Sequence, residues 1–426
     1  MSAAKTLGLS DSDQLQGRRI GFYTSVVGMG GSEVIVADTM EAACRAGAEV
    51  VCWSDPQAAI RRISDARADR LRVQHRNWPP TSATPNGGET PKLRPPLARR
   101  SSLKAAALAA MPFAVKRYAG FHRTARAFQA ELREVAPDLL FVNVNGSEAV
   151  SLAGPACGVP VVNCYHLSYT PPAGGLFTRF GDQLARRATI QSGTLTVHVS
   201  MAARDQWCSM FRYPADRTRV IYNGVEPPNL APRESTRRAL NLPSDAFVFC
   251  SPGRFDPIKG HTHLVDAMRL IKDRIGQAVL LLCGDGELRG VLEEQVTTSG
   301  LADKVRFLGW RDDVPAILHA ADCMVLPSLS ENLSLVAIES ALVGTPSIVT
   351  RVGGMAEVVQ DRSTGHIVPS AKPEALAEAM SWMVSNRQAA AEMGRLARAD
   401  ALNRFTRERM MAEYVATFAD VLGRRT

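Results

Sequence analysis

The sequence predicts an α/β protein with two doubly wound parallel-sheet domains. The length, the composition and the alternation of apolar runs lead to this prediction. The 426 residues are enough for two domains of ordinary size, and the 46% of apolar residues can fill a core in each. Short aliphatic and β-branched runs alternate with amphipathic segments in both halves, which is typical of parallel strands joined by helices.

Six strands are predicted in each half. Those of the first half are Arg19–Thr24, Ala48–Trp53, Asp138–Asn143, Pro160–Asn163, Thr194–Val199 and Thr218–Tyr222. Those of the second half are Ala246–Ser251, Gln277–Cys283, Lys304–Leu308, Cys323–Leu326, Pro346–Thr350 and His366–Val368. The segments between them have helical spacing, as in His261–Ile275, where apolar residues recur every three or four positions.

The domain boundary is predicted at Asn223–Pro228, because a turn followed by two prolines suits neither a helix nor a central strand. We therefore expect an N-terminal domain over residues 17–222 and a C-terminal domain over residues 228–400. Residues 77–97 hold six prolines and are predicted to form a flexible loop. The last amphipathic segment has no strand after it, and we expect it to form a separate helix over residues 402–424.

Targeting and redox signals indicate a cytoplasmic, reduced protein. The longest apolar run, Ala105–Val115, is shorter than the roughly 18 residues of a membrane-spanning helix. The polar N-terminus lacks a signal-peptide pattern. The eight cysteines include no Cys-x-x-Cys pair, and several lie in apolar runs where a thiol acts as a small core residue. No residues have metal-ligand spacing, so neither a metal nor a cofactor is expected.

Positive charge is concentrated in one segment. Residues 61–126 carry 15 Lys or Arg and 3 Asp or Glu, a net charge of +12 in a chain of net charge +8. A candidate helix, Phe113–Val135, overlaps the end of this segment. Two interpretations of the cations in residues 61–126 stay open. They form an ordinary solvated face, or they form a surface that meets an anionic membrane or an acidic acceptor. Nucleic acid is not expected as a partner, because no stacking aromatic residues interleave the charges.

A glycine-rich turn, Gly28–Glu33, follows the first strand and opens a helix. Glycines there let backbone amides approach an anion, and the helix dipole favours negative charge. Two alternatives stay open, a simple tight turn or a dinucleotide site that uses Asp55 after the second strand.

Two cations follow the first strand of the second half. Arg254 and Lys259 lie five residues apart on a loop bounded by Gly253 and Gly260. A planar guanidinium and a compact ammonium together suit a diphosphate. The alternative is a pair of solvated side chains.

Two glutamates flank a predicted helix start after the strand Cys323–Leu326. Ser334 can cap this helix, Glu331 lies on the loop before it and Glu339 lies on its second turn. This edge of a parallel sheet is where ligands bind, and carboxylates there accept hydrogen bonds from sugar hydroxyls. The alternative is ordinary charge on a helix face. His166, just past another strand, is either a packed residue or a catalytic one.

Several stretches resemble one known family in the same order. They are GMGGSE, VSMAARDQW…VIYNGVEP, GRFDPIKGHTHLVDA, LLLCGDGELRGVLE, VRFLGWRDDVPAILHAADCMVLPS, ENLSLVAIE, TRVGGMAEVV and TGHIV. They resemble the GT-B glycosyltransferases of the family-4 retaining type, and residues 194–370 carry most of the similarity. The resemblance implies two Rossmann-like domains facing a cleft, with the helix over residues 402–424 packing back on the N-terminal domain.

The resemblance also implies a role for each matching residue. Arg254 and Lys259 match the pair that neutralises the donor diphosphate. Glu339 matches the glutamate that binds the nucleotide ribose, whereas Glu331 and His166 match residues beside the donor sugar. The expected catalytic residues are His166, Arg254, Lys259 and Glu331. The expected donor-binding residues are Gly30, Gly31, Arg254, Lys259, Asn332, Leu333, Ser334, Leu335 and Glu339.

Two positions depart from the family pattern. Asn332 stands where many members have Gly, and Leu167 follows His166, so the sequence contains no His-Asp dyad. The function implied is transfer of a hexose from a nucleoside-diphosphate sugar to an acceptor hydroxyl with retention, without a metal, in polysaccharide or glycolipid synthesis. The acceptor stays unidentified, and a peripheral position at the inner membrane face stays open. A phosphorylase or a sugar-nucleotide epimerase of the same fold is the alternative.

Overall fold

The computed structural model describes residues 14–25, 31–78, 120–143, 148–166, 188–190 and 192–424. The chain divides into two compact units. One contains the described residues up to Val199, Arg204–Ile221 and the chain from Met411 onward. The other contains Ser200–Ala203 and Tyr222–Met410. Most of the proline-rich segment 77–97 and residues 79–119 of the basic segment lie outside the described residues.

The first unit is built on a parallel sheet of seven strands in the order β3-β2-β1-β4-β5-β6-β7. These strands are β1 (Arg19–Thr24), β2 (Glu49–Ser54), β3 (Val73–Asn77), β4 (Leu139–Asn143), β5 (Val161–Tyr165), β6 (Leu195–His198) and β7 (Thr218–Val220). The helices described in the first half are Gly31–Arg45, Ala59–Asp65, 120–135, Glu148–Ala156, 188–190 and Met201–Phe211, with a 3₁₀ turn at Ala215–Arg217.

The second unit is built on a parallel sheet of six strands in the order β10-β9-β8-β11-β12-β13. These strands are β8 (Val248–Pro252), β9 (Val279–Cys283), β10 (Val305–Gly309), β11 (Cys323–Leu326), β12 (Ser347–Thr350) and β13 (Gly365–Val368). The helices of the second half are Arg233–Ala239, His261–Ile271, Arg289–Thr298, Val314–Ala320, Leu335–Leu342, Met355–Val358, Pro373–Ser385, Arg387–Arg404 and Arg407–Gly423, with a 3₁₀ turn at Pro257–Lys259.

Each sheet is covered by helices that bury one apolar face. In the first unit, Phe128 of helix 120–135 packs edge-on against Tyr23 and Trp53, with ring centroids 5.6 and 5.3 Å apart. In the second unit, Leu264 and Met268 of helix His261–Ile271 are fully buried in an apolar cluster that also contains Phe249 of β8 and Leu280 of β9. The predicted α/β class with two doubly wound sheets is confirmed.

The edge strand β3 was not predicted. Its sequence, VQHRN, lacks an apolar run, and its residues are only partly buried because β2 is its single neighbour. An edge strand needs less apolar surface than a central one, so its sequence resembles a loop.

The predicted continuous helix from Leu402 is wrong at its start. Helix Arg387–Arg404 ends with Phe405 as its C-cap, and a new helix begins at Arg407. Between them Thr406 forms a β-bridge with Val225, whose amide donates to Phe405 O at 2.9 Å. A Cβ on Gly224 would lie 2.2 Å from Thr406 O, so glycine permits this close approach. Backbone pairing with a distant segment therefore interrupts the helix.

The helix Arg407–Gly423 contributes aromatic residues to the core of the first unit. The Tyr414 and Phe418 rings lie 5.8 and 5.9 Å from Phe141 of β4, and Phe418 lies 6.2 Å from Phe22 of β1. The helix Arg407–Gly423 therefore packs on the first sheet.

Candidate active site

The candidate site lies at the point where the strand order of the second sheet reverses, between β8 and β11. The chain runs outward from β8 to β9 and β10, then returns to β11 on the other side of β8. The loops after β8 and β11 therefore leave neighbouring strands at their carboxyl ends. Open parallel sheets bind ligands in such a crevice.

Close backbone packing holds these two loops together. Leu329 N, after β11, donates to Ile258 O, after β8, at 2.7 Å. Gly260 has a φ of +69°, and a Cβ there would lie 2.2 Å from Pro327 O. Only glycine meets both requirements, so Gly260 fixes the position of the loop that carries Arg254 and Lys259.

Lys259 and Glu331 form an ion pair across the two loops. The side chains are 24% and 12% exposed, so solvent screens the pair less than a surface salt bridge. Ser328 Oγ also donates to Glu331 Oε1 at 3.1 Å. Two residues for which the sequence predicted separate contacts therefore lie side by side.

Arg254 remains available at the surface of the same loop. Its side chain is 73% exposed, and its guanidinium pairs with Asp256 at 3.0 Å. Asp256 Oδ1 also accepts from the Lys259 amide at 3.1 Å, which closes the 3₁₀ turn. Asp256 thus anchors the loop and leaves the guanidinium partly in solvent.

Glu339 lies on the helix Leu335–Leu342 with little exposure to solvent. Desolvation by burial raises the pKa of its carboxyl to about 7. Within the described residues this carboxyl has no hydrogen bond or ion pair. A carboxylate in this state gains from hydrogen-bond donors such as the hydroxyls of a ribose.

Asn332, Leu333 and Ser334, which follow Glu331, are buried and held by side-chain hydrogen bonds. Asn332 Oδ1 accepts from Ser200 Oγ at 2.5 Å, and Asn223 Nδ2 donates to Leu333 O at 3.4 Å. Ser334 occupies the N-cap position before Leu335, but its side chain makes no capping hydrogen bond. The prediction that the Ser334 side chain caps the helix is wrong, although the helix does begin there.

Two glycines without a predicted role support the Glu331 loop. Gly353 has a φ of +49°, and a Cβ there would lie 1.9 Å from Glu331 O. Gly354 N donates to Asn332 O at 2.6 Å, and a Cβ on Gly354 would lie 2.6 Å from Ser200 Cβ. The paired glycines in the stretch TRVGGMAEVV were the available signal for this contact.

His166 lies in the first unit, immediately after β5. Its side chain is buried, and burial lowers the pKa of the imidazole to about 4, so the ring is neutral at pH 7. The Nε2 atom lies 3.3 Å from Cys164 Sγ. A neutral imidazole offers one donor and one acceptor nitrogen.

The glycine-rich turn of the first unit is described only in part. Gly31 is exposed and begins the helix Gly31–Arg45, whereas Gly30 lies outside the described residues. Ser32 Oγ donates to Glu33 Oε2 at 2.8 Å, and burial raises the pKa of Glu33. Asp55 Oδ1 accepts from Gln57 N at 2.8 Å, which is the contact of an ordinary turn.

The part of the chain that the structure describes contains no group of three or more His, Cys, Asp or Glu arranged to hold a metal ion. It also contains no helix that is both long enough and apolar enough to span a bilayer. None of the eight cysteines forms a disulfide, and five of them are buried.

The two parallel α/β sheets fit the GT-B class of glycosyltransferases, and solved structures share the fold. A glycosyltransferase from Rickettsia africae matches with a TM-score of 0.75 at 18% identity, over 95% of this chain and 98% of that one. Anabaena HepE, solved with UDP, matches with a TM-score of 0.71 at 20% identity, over 95% and 100%.

The chain belongs to the family-4 glycosyltransferases. The family model described as Glycosyltransferase Family 4 matches residues 29–228, and the one described as Glycosyl transferases group 1 matches residues 232–400. The expected family and the GT-B fold are thereby confirmed.

Curated relatives match over part of their length. An uncharacterized glycosyltransferase of Methanocaldococcus jannaschii is 31% identical over 54% of this chain and 61% of its own length. The lipopolysaccharide core biosynthesis glycosyltransferase LpsE of Rhizobium meliloti is 33% identical over 43% and 53%. The chain therefore spans about half to three fifths of the length of these relatives.

Proposed function

We propose that the protein transfers a hexose from a nucleoside-diphosphate sugar to an acceptor hydroxyl, with retention of configuration. The observation that carries this proposal is the Lys259–Glu331 ion pair between the loops after β8 and β11, where the strand order of the second sheet reverses. A cation of the kind that binds a diphosphate lies there beside a carboxylate that can accept from sugar hydroxyls, which supports a donor site. A bound donor would need both groups at its diphosphate–sugar junction.

The difficult step of such a transfer is departure of the nucleoside diphosphate. Negative charge develops on the leaving oxygen as the bond to the sugar breaks, and fixed positive charge lowers the barrier. Lys259 and the exposed Arg254 supply this charge from one loop. Because Asp256 and Gly260 hold that loop, the cations need little rearrangement in the transition state.

The two glutamates have separate tasks in this proposal. Glu339 accepts hydrogen bonds from the ribose hydroxyls, which compensate for its burial. Glu331 accepts from hydroxyls of the donor sugar and, in the free protein, balances the charge of Lys259. Neutral His166, which belongs to the first unit, can donate one hydrogen bond and accept another, and we propose that it takes part in transfer.

The names of relatives support a donor and an acceptor of these classes. One relative, 34% identical over 35% of this chain, is an Escherichia coli enzyme named for transfer from UDP-Gal to a GlcNAc-diphosphoundecaprenol. LpsE is named for lipopolysaccharide core synthesis. Anabaena HepE, which shares the fold, was solved with UDP-glucose. We therefore infer a role in cell-surface glycan or glycolipid synthesis, with a sugar or lipid-linked sugar as acceptor.

A donor screen tests the proposal. The purified chain is incubated with UDP-, GDP- and ADP-sugars and candidate acceptors, and release of nucleoside diphosphate is measured. We expect release with one base and an α-linked product from an α-linked donor, read from the anomeric coupling in proton NMR. Inverted product would contradict retention. Release that depends on phosphate, or an epimerised donor without acceptor, would instead identify a phosphorylase or an epimerase.

A further inference from the structure

Three buried side chains in contact with one another link the helix Arg407–Gly423 to His166. Cys164 Sγ lies 3.3 Å from His166 Nε2 and also 3.3 Å from the Tyr414 hydroxyl. Cys164 belongs to β5, and Tyr414 belongs to the helix Arg407–Gly423, 250 residues away. Cys164 and Tyr414 are fully buried, so water does not compete for these contacts.

We propose that Tyr414, acting through the Cys164 thiol, is a positioning residue that sets the orientation and tautomer of His166. This proposal rests on the proposed function, in which His166 takes part in transfer. Tyr414 would act through the imidazole without touching the sugar.

The protonation states limit how the three groups can bond. Burial raises the pKa of Cys164 to about 12 and lowers the pKa of His166 to about 4, so at pH 7 the thiol is protonated and the imidazole is neutral. Each link then consists of one hydrogen between two heavy atoms. The protons can run from Tyr414 toward His166 or in the opposite direction.

The chemistry of the groups favours the direction toward His166. A phenol is a good donor and an imidazole nitrogen a good acceptor, whereas sulfur is weak in both roles. In this direction Tyr414 O–H donates to Cys164 Sγ, and Cys164 S–H donates to His166 Nε2. Each hydrogen bond to sulfur then has one strong partner, the phenol as donor in the first and the imidazole nitrogen as acceptor in the second. The opposite direction would join the thiol donor to a phenolic oxygen, which is the weaker acceptor. The imidazole proton then lies on Nδ1, and Nδ1–H is the donor nitrogen of His166.

The sheet and the C-terminal helix hold this geometry from both sides. The Tyr414 ring packs against Phe141 of β4 at 5.8 Å and against Phe418 of its own helix at 6.2 Å. The backbone of Cys164 is fixed between β4 and β6. The hydroxyl of Tyr414 therefore reaches Cys164 from a packed ring, and its position costs little further entropy.

Nitrogen-15 NMR of histidine-labelled full-length protein tests the proposal independently of catalysis. The His166 resonances are assigned by their loss in His166→Gln. We expect shifts of the Nδ1–H tautomer in the wild type, and movement toward a tautomer mixture in Tyr414→Phe and Cys164→Ala. Cys164→Ser keeps a hydroxyl that can donate to Nε2 and should retain the wild-type tautomer. Unchanged His166 shifts in both Tyr414→Phe and Cys164→Ala would overturn the proposal.

Tyr213→Phe is the matched control. The Tyr213 hydroxyl is also buried in the first unit, where it accepts from Thr196 Oγ1 at 2.6 Å. Tyr213→Phe thus removes a comparable hydroxyl and should leave the His166 shifts unchanged.

Steady-state kinetics then separate this proposal from the proposed function. Tyr414→Phe should lower kcat by about 3- to 10-fold with little change in the KM for the donor, the size expected for one hydrogen bond. Tyr213→Phe should turn over like the wild type. A tautomer change with wild-type kcat would show that Tyr414 sets the tautomer while His166 has no part in transfer. Absence of any transfer by the wild type would refute the proposed function and leave the NMR result to decide the positioning.

Discussion

The ammonium of Lys259 forms an ion pair with the carboxylate of Glu331 across the loops that follow β8 and β11. A cation suited to a diphosphate therefore already has an anionic partner in the free protein. A donor that binds here must share Lys259 with Glu331, so the two side chains cannot contribute independently. Their mutational effects should be coupled for the same reason.

Removal of either loop cation should slow transfer strongly. We expect Lys259→Ala and Arg254→Ala each to lower kcat/KM by about 10- to 1000-fold, because each removes a fixed charge that stabilises the leaving diphosphate. Steady-state assays with the donor found in the screen measure the effect. Lys304→Ala is the control, since Lys304 Nζ donates to Gly276 O at 2.6 Å in the same unit, outside the site loops. Wild-type turnover in both folded variants would place the diphosphate elsewhere.

The two glutamates should differ when only the nucleotide is bound. Glu339→Gln is expected to weaken nucleoside diphosphate binding by about 5- to 50-fold, because it removes a charged acceptor for two hydroxyls. Glu331→Gln should leave that affinity unchanged or raise it, since Lys259 is no longer neutralised, while turnover falls. Isothermal titration calorimetry with the nucleotide alone measures both, and the reverse order would contradict the assignment.

Nucleotide affinity should also depend on pH through Glu339. The carboxyl of the free protein has a pKa of about 7, and ribose hydroxyls donate to the ionised form, so binding favours deprotonation. Affinity should therefore rise as pH increases from about 6 to 8, with proton release on binding, and Glu339→Gln should flatten this rise. Titrations in buffers of different ionisation enthalpy detect the proton. A flat wild-type profile would show that the nucleotide does not reach Glu339.

A methyl group at Gly353 should displace the Glu331 loop. The Cβ of Gly353→Ala would lie 1.9 Å from Glu331 O, so we expect kcat/KM to fall by about 10- to 100-fold through misplacement of Glu331. Gly276→Ala is the control, because Gly276 has a similar φ of +52° and nothing within 4 Å of the added Cβ. Both substitutions lower the free energy of unfolding because alanine is disfavoured at positive φ, and melting temperatures measure this loss. Equal activities of the two variants would mean that Glu331 tolerates the displacement.

Transfer should need no divalent metal. In the proposed function Arg254 and Lys259 supply positive charge to the diphosphate, which is the role that a metal would have. We expect activity to persist in excess EDTA. Complete loss that magnesium or manganese restores would contradict this expectation.

The basic segment should bind anionic membranes if its charges meet a lipid surface. Each Lys or Arg near such a surface contributes about 1 kcal/mol, and salt weakens the attraction. We expect cosedimentation with vesicles rich in phosphatidylserine at low ionic strength. Binding should be lost when a set of cations becomes Ser or Gln. That set, which lies outside the described residues, is Arg99, Arg100, Lys104, Lys116 and Arg117. Absence of binding would favour a solvated face, and neutral vesicles are the control.

Periodicity in the sequence was enough to predict the strands that the structure describes, except β3. Central strands such as β4 and β9 consist of buried residues throughout, and their apolar runs follow directly from burial on both faces. The edge strand β3 was missed because a strand with one neighbour needs no such run. Arg254, Lys259, Glu331 and Glu339 were also predictable, because they occupy loops and a helix that follow recognisable strands.

Local patterns determined the two sheets and the residues that follow their strands, and the resemblance to a known family determined the class of protein. Only the tertiary structure decided which of these residues meet. Lys259 and Glu331 are 72 positions apart, and Cys164 and Tyr414 are 250 apart. Their contacts depend on strand order, on glycine approaches such as that of Gly353 to Glu331, and on the packing of the last helix against β1 and β4. Periodicity reports the burial of each segment, whereas pairing is decided by the shape and packing of the folded chain.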